Sequence, residues 1–152
     1  MNKEEWLQLL RTDVAAFNEY RKANPKEAVD LSQVDLSNAQ LQGAYLADAN
    51  LAEATLVEAD LNHANLGGAN LQRADLRHAD MTNVTLHRSD LTGADLRAAK
   101  VGGLVGDGRM CLHPTCFENV LFDKAQLEGA LEVLNRNAAW RIKYELVPKD
   151  AE

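Results

Sequence analysis

The chain has 152 residues and a formal net charge of −7, with 46% hydrophobic but only 5% aromatic residues. This length is typical of one domain. It contains no run of about 18 apolar residues, and Met1 is not followed by a basic and then an apolar stretch, so we expect neither a transmembrane helix nor a secretory signal. Two cysteines are too few for a disulfide scaffold. A reducing, cytoplasmic location is therefore predicted.

Residues 2–24 carry the pattern of one amphipathic helix. Asn2 followed by Glu5 is a capping-box arrangement, which predicts the start of the helix. Pro25 predicts its end, because the residue before a proline is disfavoured in helical conformation. The apolar stripe between these points consists of Trp6, Leu10, Val14 and Phe17.

From Leu31 to Val101, every fifth residue is Leu or, as at Met81, a close substitute, and the residue two positions earlier is small, usually Ala. In a helix, five residues advance about 140° beyond a full turn, so the leucines would spread over the whole surface. In a straight strand they would alternate between faces. Both positions can point inward only if the chain bends every five residues, which predicts a solenoid built by stacking coils.

The repeat is interrupted once. Residues 102–109 hold four of the nine glycines, and the pattern resumes at Met110 after a shift of one residue. We therefore predict a loop at 102–109 that replaces one side of a late coil, within a repeat region of residues 28–129. The glycines lack the lysine-containing motif that cradles phosphate in nucleotide-binding loops.

The last segment, residues 130–152, begins with the pattern of a short helix and then alternates apolar and charged residues, as in a half-buried strand. The apolar members of the alternation are Trp140, Ile142, Tyr144 and Leu146.

Repeats such as A-D-L-R-H at 74–78 and A-N-L-Q-R at 69–73 resemble the pentapeptide repeat family, whose consensus is A-(D/N)-L-x-x. The resemblance covers about two thirds of the chain. It implies an all-β solenoid in the form of a right-handed quadrilateral β-helix, with four pentapeptides per coil and about five coils in this chain.

Open solenoid ends expose unpaired backbone, so both flanking segments are candidates for caps. We predict that residues 1–27 form an N-terminal capping helix. For residues 130–152 two interpretations remain open: a helix/strand cap, or a dimerisation segment that uses Trp140, Ile142, Tyr144 and Leu146.

The sequence does not predict an enzyme, a metal site or a cofactor site. His63, His78 and His87 fall at outward positions on three different sides of a four-sided coil and cannot share a metal ion. Cys111 and Cys116 point outward around a corner, which favours two free thiols. The Asp residues follow the repeat and form no paired acid and base in a cleft.

The negative charge is concentrated early in the repeat. No Lys or Arg lies between Lys26 and Arg73, so the first two coils are anionic in themselves. Such a surface repels nucleic acid and anionic membranes and attracts basic partners. Part of this charge belongs to the repeat consensus, and Glu53 below Arg73 predicts a surface ion pair worth at most about 1 kcal/mol.

Two functions follow. The first is a non-enzymatic protein-binding module that presents a rigid, anionic rod to a protein partner. The alternative is implied by the resemblance, because some family members act as DNA mimics that protect DNA gyrase or topoisomerase IV from inhibitors. The candidate partner-binding residues are Asp35, Asp48, Glu53, Glu58, Asp60 and, from the loop, Arg109.

Overall fold

The computed structural model describes residues 1–101, which form two short helices followed by stacked pentapeptides. Helix α1 runs Lys3–Thr12 and helix α2 runs Val14–Ala23. The predicted capping box is present, since the Glu5 N–H donates to Asn2 Oδ1 and the Asn2 N–H donates to Glu5 Oε2, both at 2.9 Å. The predicted loop, the repeats that resume after it, the Cys pair and all of residues 130–152 lie outside the described residues.

The prediction of one continuous helix over 2–24 is wrong, because the helix is broken at Asp13. The Asp13 N–H ends α1 by donating to the Leu9 carbonyl at 2.7 Å, and its Oδ1 starts α2 by accepting from the Ala16 N–H at 2.9 Å. A continuous 21-residue helix would be about 31 Å long, whereas a five-residue side of the solenoid spans at most about 17 Å. The break lets both halves lie over the first coil.

The repeats form a coil with a period of 20 residues. Eleven parallel bridges, from Asp30↔Asn50 to Asp80↔Lys100, each join positions 20 apart. Four pentapeptides therefore complete one turn, as the resemblance implied. The first coil is residues 29–48, the second 49–68 and the third 69–88, with the fourth beginning at Ser89. We number the sides by their central residues: side 1 at Leu31, Leu51, Leu71 and Leu91; side 2 at Leu36, Leu56, Leu76 and Leu96; side 3 at Leu41, Leu61, Met81 and Val101; side 4 at Leu46, Leu66 and Leu86.

Adjacent coils are joined by backbone hydrogen bonds on each side. On side 1, Leu31 N–H donates to Asn50 O at 2.7 Å, Gln33 N–H to Ala52 O at 2.8 Å, and Asn50 N–H to Val29 O at 2.9 Å. The contact on each side is a single bridge rather than a long strand, because the chain turns after every five residues.

The predicted inward positions are confirmed. The central leucines from Leu31 to Leu76 have no measurable exposure, and the alanines two positions earlier, such as Ala64 and Ala69, are equally buried except for Ala39, which is partly buried. The core is thus a column of leucines in which small residues leave the space that each leucine fills.

Each side ends in a turn that has a positive φ at the second residue after the central leucine. At Asn38, for example, φ is 58°, and the Ala39 N–H closes the turn on the Leu36 carbonyl at 3.1 Å. Positive φ at this point is the geometry of a type II turn. All 14 such positions from Gln33 to Ala98 have φ between 56° and 72°, and none holds a β-branched residue. This agrees with the strain that such a side chain suffers there.

The two helices lie over the first coil. Trp6, Leu10 and Phe17 are at most 1% exposed and belong to the same buried cluster as the leucines. The polar side chains of the helices reach all four sides of this coil. Lys3 Nζ donates to Ser32 O at 2.8 Å, Arg11 Nη2 to Asp35 O at 2.6 Å, Asn18 Nδ2 to Gly43 O at 3.0 Å, and Arg21 Nη2 to Ala47 O at 2.7 Å.

Candidate functional site

The five predicted partner-binding acids that fall within the described residues do not share one side. Asp35 lies on side 2 and Asp60 on side 3, while Asp48, Glu53 and Glu58 occupy the corners after sides 4, 1 and 2. Arg109 and the four proposed dimer residues lie outside the described part of the chain. The structure therefore distributes the acids around the rod instead of collecting them on one face.

The Asp residues that directly precede a central residue have a structural role in the turns. At every Asp or Asn that precedes a central residue, the side-chain oxygen accepts a hydrogen bond from the backbone N–H two residues later. In Asp60, for example, Oδ1 accepts from the Asn62 N–H at 3.0 Å, and in Asp35 it accepts from the Ser37 N–H at 2.9 Å. This Asx geometry satisfies an N–H that the coil-to-coil ladder leaves unpaired. Because Asn50, Asn65 and Asn70 do the same, the turn requires the oxygen and not the charge.

The helices supply cations that the anionic repeat itself lacks. Lys3 Nζ lies 3.4 Å from the Asp30 carboxylate, and the Arg11 guanidinium is held at the Asp35 carbonyl. The pKa of Asp35 lies below its ordinary value, because the Ser37 side chain and N–H donate to the carboxylate and Arg11 adds positive charge. The first coil is therefore less anionic in the folded protein than its own sequence implies.

Beyond the second coil, three of the four acids of residues 69–101 form ion pairs. Arg77 Nη2 lies 2.6 Å from Asp75, Arg97 Nη2 lies 2.5 Å from Asp95, and Lys100 Nζ lies 3.1 Å from Asp80. The predicted pair of Arg73 with Glu53 is confirmed at 3.6 Å. Residues 69–101 carry four acids and five cations, so this part of the repeat has a net charge of +1.

Four acids of the first two coils form no ion pair among residues 1–101. One of them, Asp35, still has the Arg11 guanidinium nearby. The other three are Asp48, Glu58 and Asp60, and we call them the unpaired acids. Glu58 and Asp60 flank the corner between sides 2 and 3, whereas Asp48 lies at the corner between sides 4 and 1. Asp60 additionally accepts a hydrogen bond from Gln42 Nε2 at 2.5 Å, which orients its carboxylate without neutralising it.

The Asp–Arg pairs predict acid sensitivity of the coil. The side-chain hydrogen bond from Arg77 holds the pKa of Asp75 below its ordinary value, and that from Arg97 does the same for the pKa of Asp95. A carboxyl with a lowered pKa stabilises the fold above its unfolded pKa of about 3.9, and this stabilisation is lost as the pH falls towards the folded pKa. We expect the melting temperature to fall below about pH 4, and to fall less in Asp75→Asn/Asp95→Asn. Thermal melts between neutral and acidic pH measure this, and identical acid profiles for the two proteins would contradict it.

The outward histidines remain apart. His63, His78 and His87 are exposed on sides 3, 2 and 4, as the repeat register predicted. Within residues 1–101 no three His, Cys, Asp or Glu side chains are grouped so as to hold a metal ion. In the same region, neither α1 nor α2 has the length and apolar character needed to cross a membrane.

Side 4 differs from the other three in a way that the sequence analysis missed. Its surface between the corners carries no carboxylate, Lys or Arg, and it includes Tyr45, which is 39% exposed. The Arg21 guanidinium lies over the Tyr45 ring at 5.7 Å from its centroid. The sequence could have indicated this uncharged side, because a 20-residue period brings Tyr45, Asn65 and Thr85 into one column.

A family model described as pentapeptide repeats matches the chain in eight copies, over residues 30–68 and 59–97. Proteins of this kind fold as right-handed quadrilateral β-helices, in agreement with the 20-residue coil. Among the curated proteins there is no significant match.

Three solved structures illustrate the similarity. HetL, a pentapeptide repeat protein involved in heterocyst differentiation regulation in the cyanobacterium Nostoc, is 38% identical over 49% of this chain and 35% of its own, with a TM-score of 0.48. Rfr23 from the cyanobacterium Cyanothece is 29% identical over 64% and 63%, with a TM-score of 0.52. QnrB1, a plasmid-mediated fluoroquinolone resistance protein, is 17% identical over 71% and 64%, with a TM-score of 0.38. The chain thus spans less than two thirds of each of these proteins.

Proposed function

Because residues 30–97 make this chain a member of the pentapeptide repeat family, a family of structural and binding modules, we propose that it is a non-enzymatic protein-binding module. The observation that carries the proposal is the set of unpaired acids. Asp48, Glu58 and Asp60 form no ion pair within residues 1–101, whereas three of the four acids of residues 69–101 do. The proposed contact is centred on the corner formed by Glu58 and Asp60.

The coil fixes the backbone that carries these carboxylates. Glu58 N–H donates to Arg77 O at 3.0 Å, and Asp60 N–H donates to Ala39 O at 3.0 Å, so the backbone of both residues is tied to neighbouring coils. Because this surface is already ordered, the module loses little conformational freedom when a partner binds, and this lowers the entropic cost of association.

The chemistry of the surface selects a basic protein. Exposed carboxylates attract Lys and Arg side chains and accelerate association with a positively charged groove. The same charge disfavours DNA, RNA and anionic membranes. We therefore propose a protein partner with a basic surface.

The second candidate is a DNA mimic that modulates DNA gyrase or topoisomerase IV, and the charge density of the first two coils favours it. Residues 29–68 carry six acids over two coils of about 4.8 Å each, or one charge per ~1.6 Å along the axis. Duplex DNA carries one charge per about 1.7 Å. The match is limited in length, since Lys3 pairs with Asp30, and the two acids of the third coil, Asp75 and Asp80, are paired with Arg77 and Lys100.

A fourfold amide variant tests the proposal. Asp35→Asn, Asp48→Asn, Glu58→Gln and Asp60→Asn remove four charges while keeping the oxygens that the turns at Asp35 and Asp60 require. We expect near-native stability, because surface substitutions of this kind usually change it by about 0.5 kcal/mol or less each. We expect loss of partner binding, first in the association rate, in the way that added salt weakens binding of the wild type.

Two probes separate the candidates. Purified DNA gyrase is assayed for direct binding and for supercoiling with and without a fluoroquinolone, and wild-type and variant proteins are used to capture partners from the source organism. Gyrase binding that the variant loses supports the DNA mimic, and loss of a different basic protein supports the general module. A partner that binds wild type and variant equally contradicts both.

A further inference from the structure

Side 4 has a self-complementary arrangement of charge at one edge. Its corner column contains Asp48, Gly68 and Arg88, which are separated by one coil each. The acid and the arginine are therefore equidistant from Gly68, about 9.6 Å apart along the axis. The Asp48 carboxylate extends over Gly68, where a Cβ would overlap it.

The two charges of this column do not neutralise each other within the chain. Neither Asp48 nor Arg88 forms an ion pair with the described residues. The contrast with the corner after side 1 is informative, because there Glu53 and Arg73 occupy adjacent coils and pair directly at 3.6 Å. On side 4 the second coil, which carries Gly68 at this corner, lies between the two charges. Each charge is therefore available to a group outside the β-helix.

We propose that side 4 binds a second copy of this chain in antiparallel orientation. A two-fold axis that lies in the face, perpendicular to the rod, reverses the order of the coils but keeps each column opposite itself. Asp48 then faces the partner's Arg88, Arg88 faces the partner's Asp48, and Gly68 lies opposite the partner's Gly68. The rotation thus forms two ion pairs across the contact, each between Asp48 of one copy and Arg88 of the other.

The rest of the face is compatible with this contact. In the same rotation Tyr45, which is 39% exposed, faces the partner's Thr85, and no like charges meet between the corners. The described face is only three coils, or roughly 14 Å, long. A contact of this size belongs to the weak, transient class, so dimerisation is expected at high protein concentration.

Charge reversal gives a sharp test. In Asp48→Arg alone, or in Arg88→Asp alone, like charges meet at both ends of the column, and we expect dimerisation to weaken about tenfold or more. When the two single variants are mixed, opposite charges meet at both ends, so a heterodimer forms although neither variant self-associates. Both substitutions suit the backbone, because Asp48 and Arg88 occupy equivalent turn positions with φ of 57° and 62°.

Sedimentation equilibrium of the full chain, up to millimolar concentration, measures the outcome. Glu58→Arg is the matched control, since it makes the same charge change at an equivalent position outside side 4 and leaves the dimer intact. The combined variant Asp48→Arg/Arg88→Asp restores complementarity and also dimerises. A wild type that stays monomeric, or a dimer that both single variants retain, overturns the proposal. The second result would direct attention to Trp140 and Tyr144 instead.

Discussion

We expect Ala64→Leu to destabilise the β-helix by about 1–3 kcal/mol or more. Ala64 is fully buried at the start of side 4, and its backbone is fixed by hydrogen bonds to Leu61 O at 2.8 Å and from the Thr85 N–H at 3.0 Å. A leucine there must share the interior with the central leucines, and the coil cannot widen without breaking these bonds. Chemical denaturation measures the change in the free energy of unfolding.

Ala52→Leu is the matched control for this substitution. Ala52 follows a central leucine and is only partly buried, and the equivalent position on side 2 already holds Val57. We expect its effect to stay within about 0.5 kcal/mol. Equal destabilisation by the two leucines would contradict the inward and outward register described above.

The second large effect is expected at Trp6. Its ring makes edge contacts with Phe17 at 5.7 Å and with Tyr20 at 5.1 Å between centroids, and it is 1% exposed against the first coil. Truncating a buried tryptophan to alanine costs about 3–5 kcal/mol. We expect Trp6→Ala to lose that stability and to increase aggregation, because uncovering the first coil exposes unpaired backbone groups.

This substitution tests the proposal that α1 and α2 cap the solenoid. Trp6→Phe keeps an aromatic ring in the same place and is expected to lose much less stability. The two variants are compared by thermal melting and by light scattering on heating. If Trp6→Ala melts like the wild type and stays monomeric, the helices do not cap the coil.

The repeat was predictable from the sequence because its signal is local. A leucine every five residues and a small residue two positions before it can both be buried only if the chain bends every five residues. Leu61 and Ala64 are buried as such a coil requires. The number of sides could not be derived from this period alone. It came from the family resemblance and is visible in the bridges between residues 20 apart.

The candidate site was less predictable, because its charge balance depends on contacts between distant segments. The pair of Lys3 with Asp30 joins residues 27 apart and exists only because the helix breaks at Asp13 and folds over the first coil. Thr12 and Asp13 gave no strong signal for this break, since Trp6, Leu10 and Phe17 would also share one face of a continuous helix. The acids without cations could be recognised only once these contacts were known.

The central claim is that the unpaired acids, rather than negative charge in general, form the binding surface. The most direct test compares two double variants that each remove two negative charges: Glu58→Gln/Asp60→Asn, at the proposed contact, and Asp75→Asn/Asp95→Asn, where arginine already pairs with both acids. The measurement is the association rate with the captured partner, or with gyrase if gyrase binds. We predict that the first variant slows association and the second does not. Equal loss in both variants, or none in the first, would contradict the account.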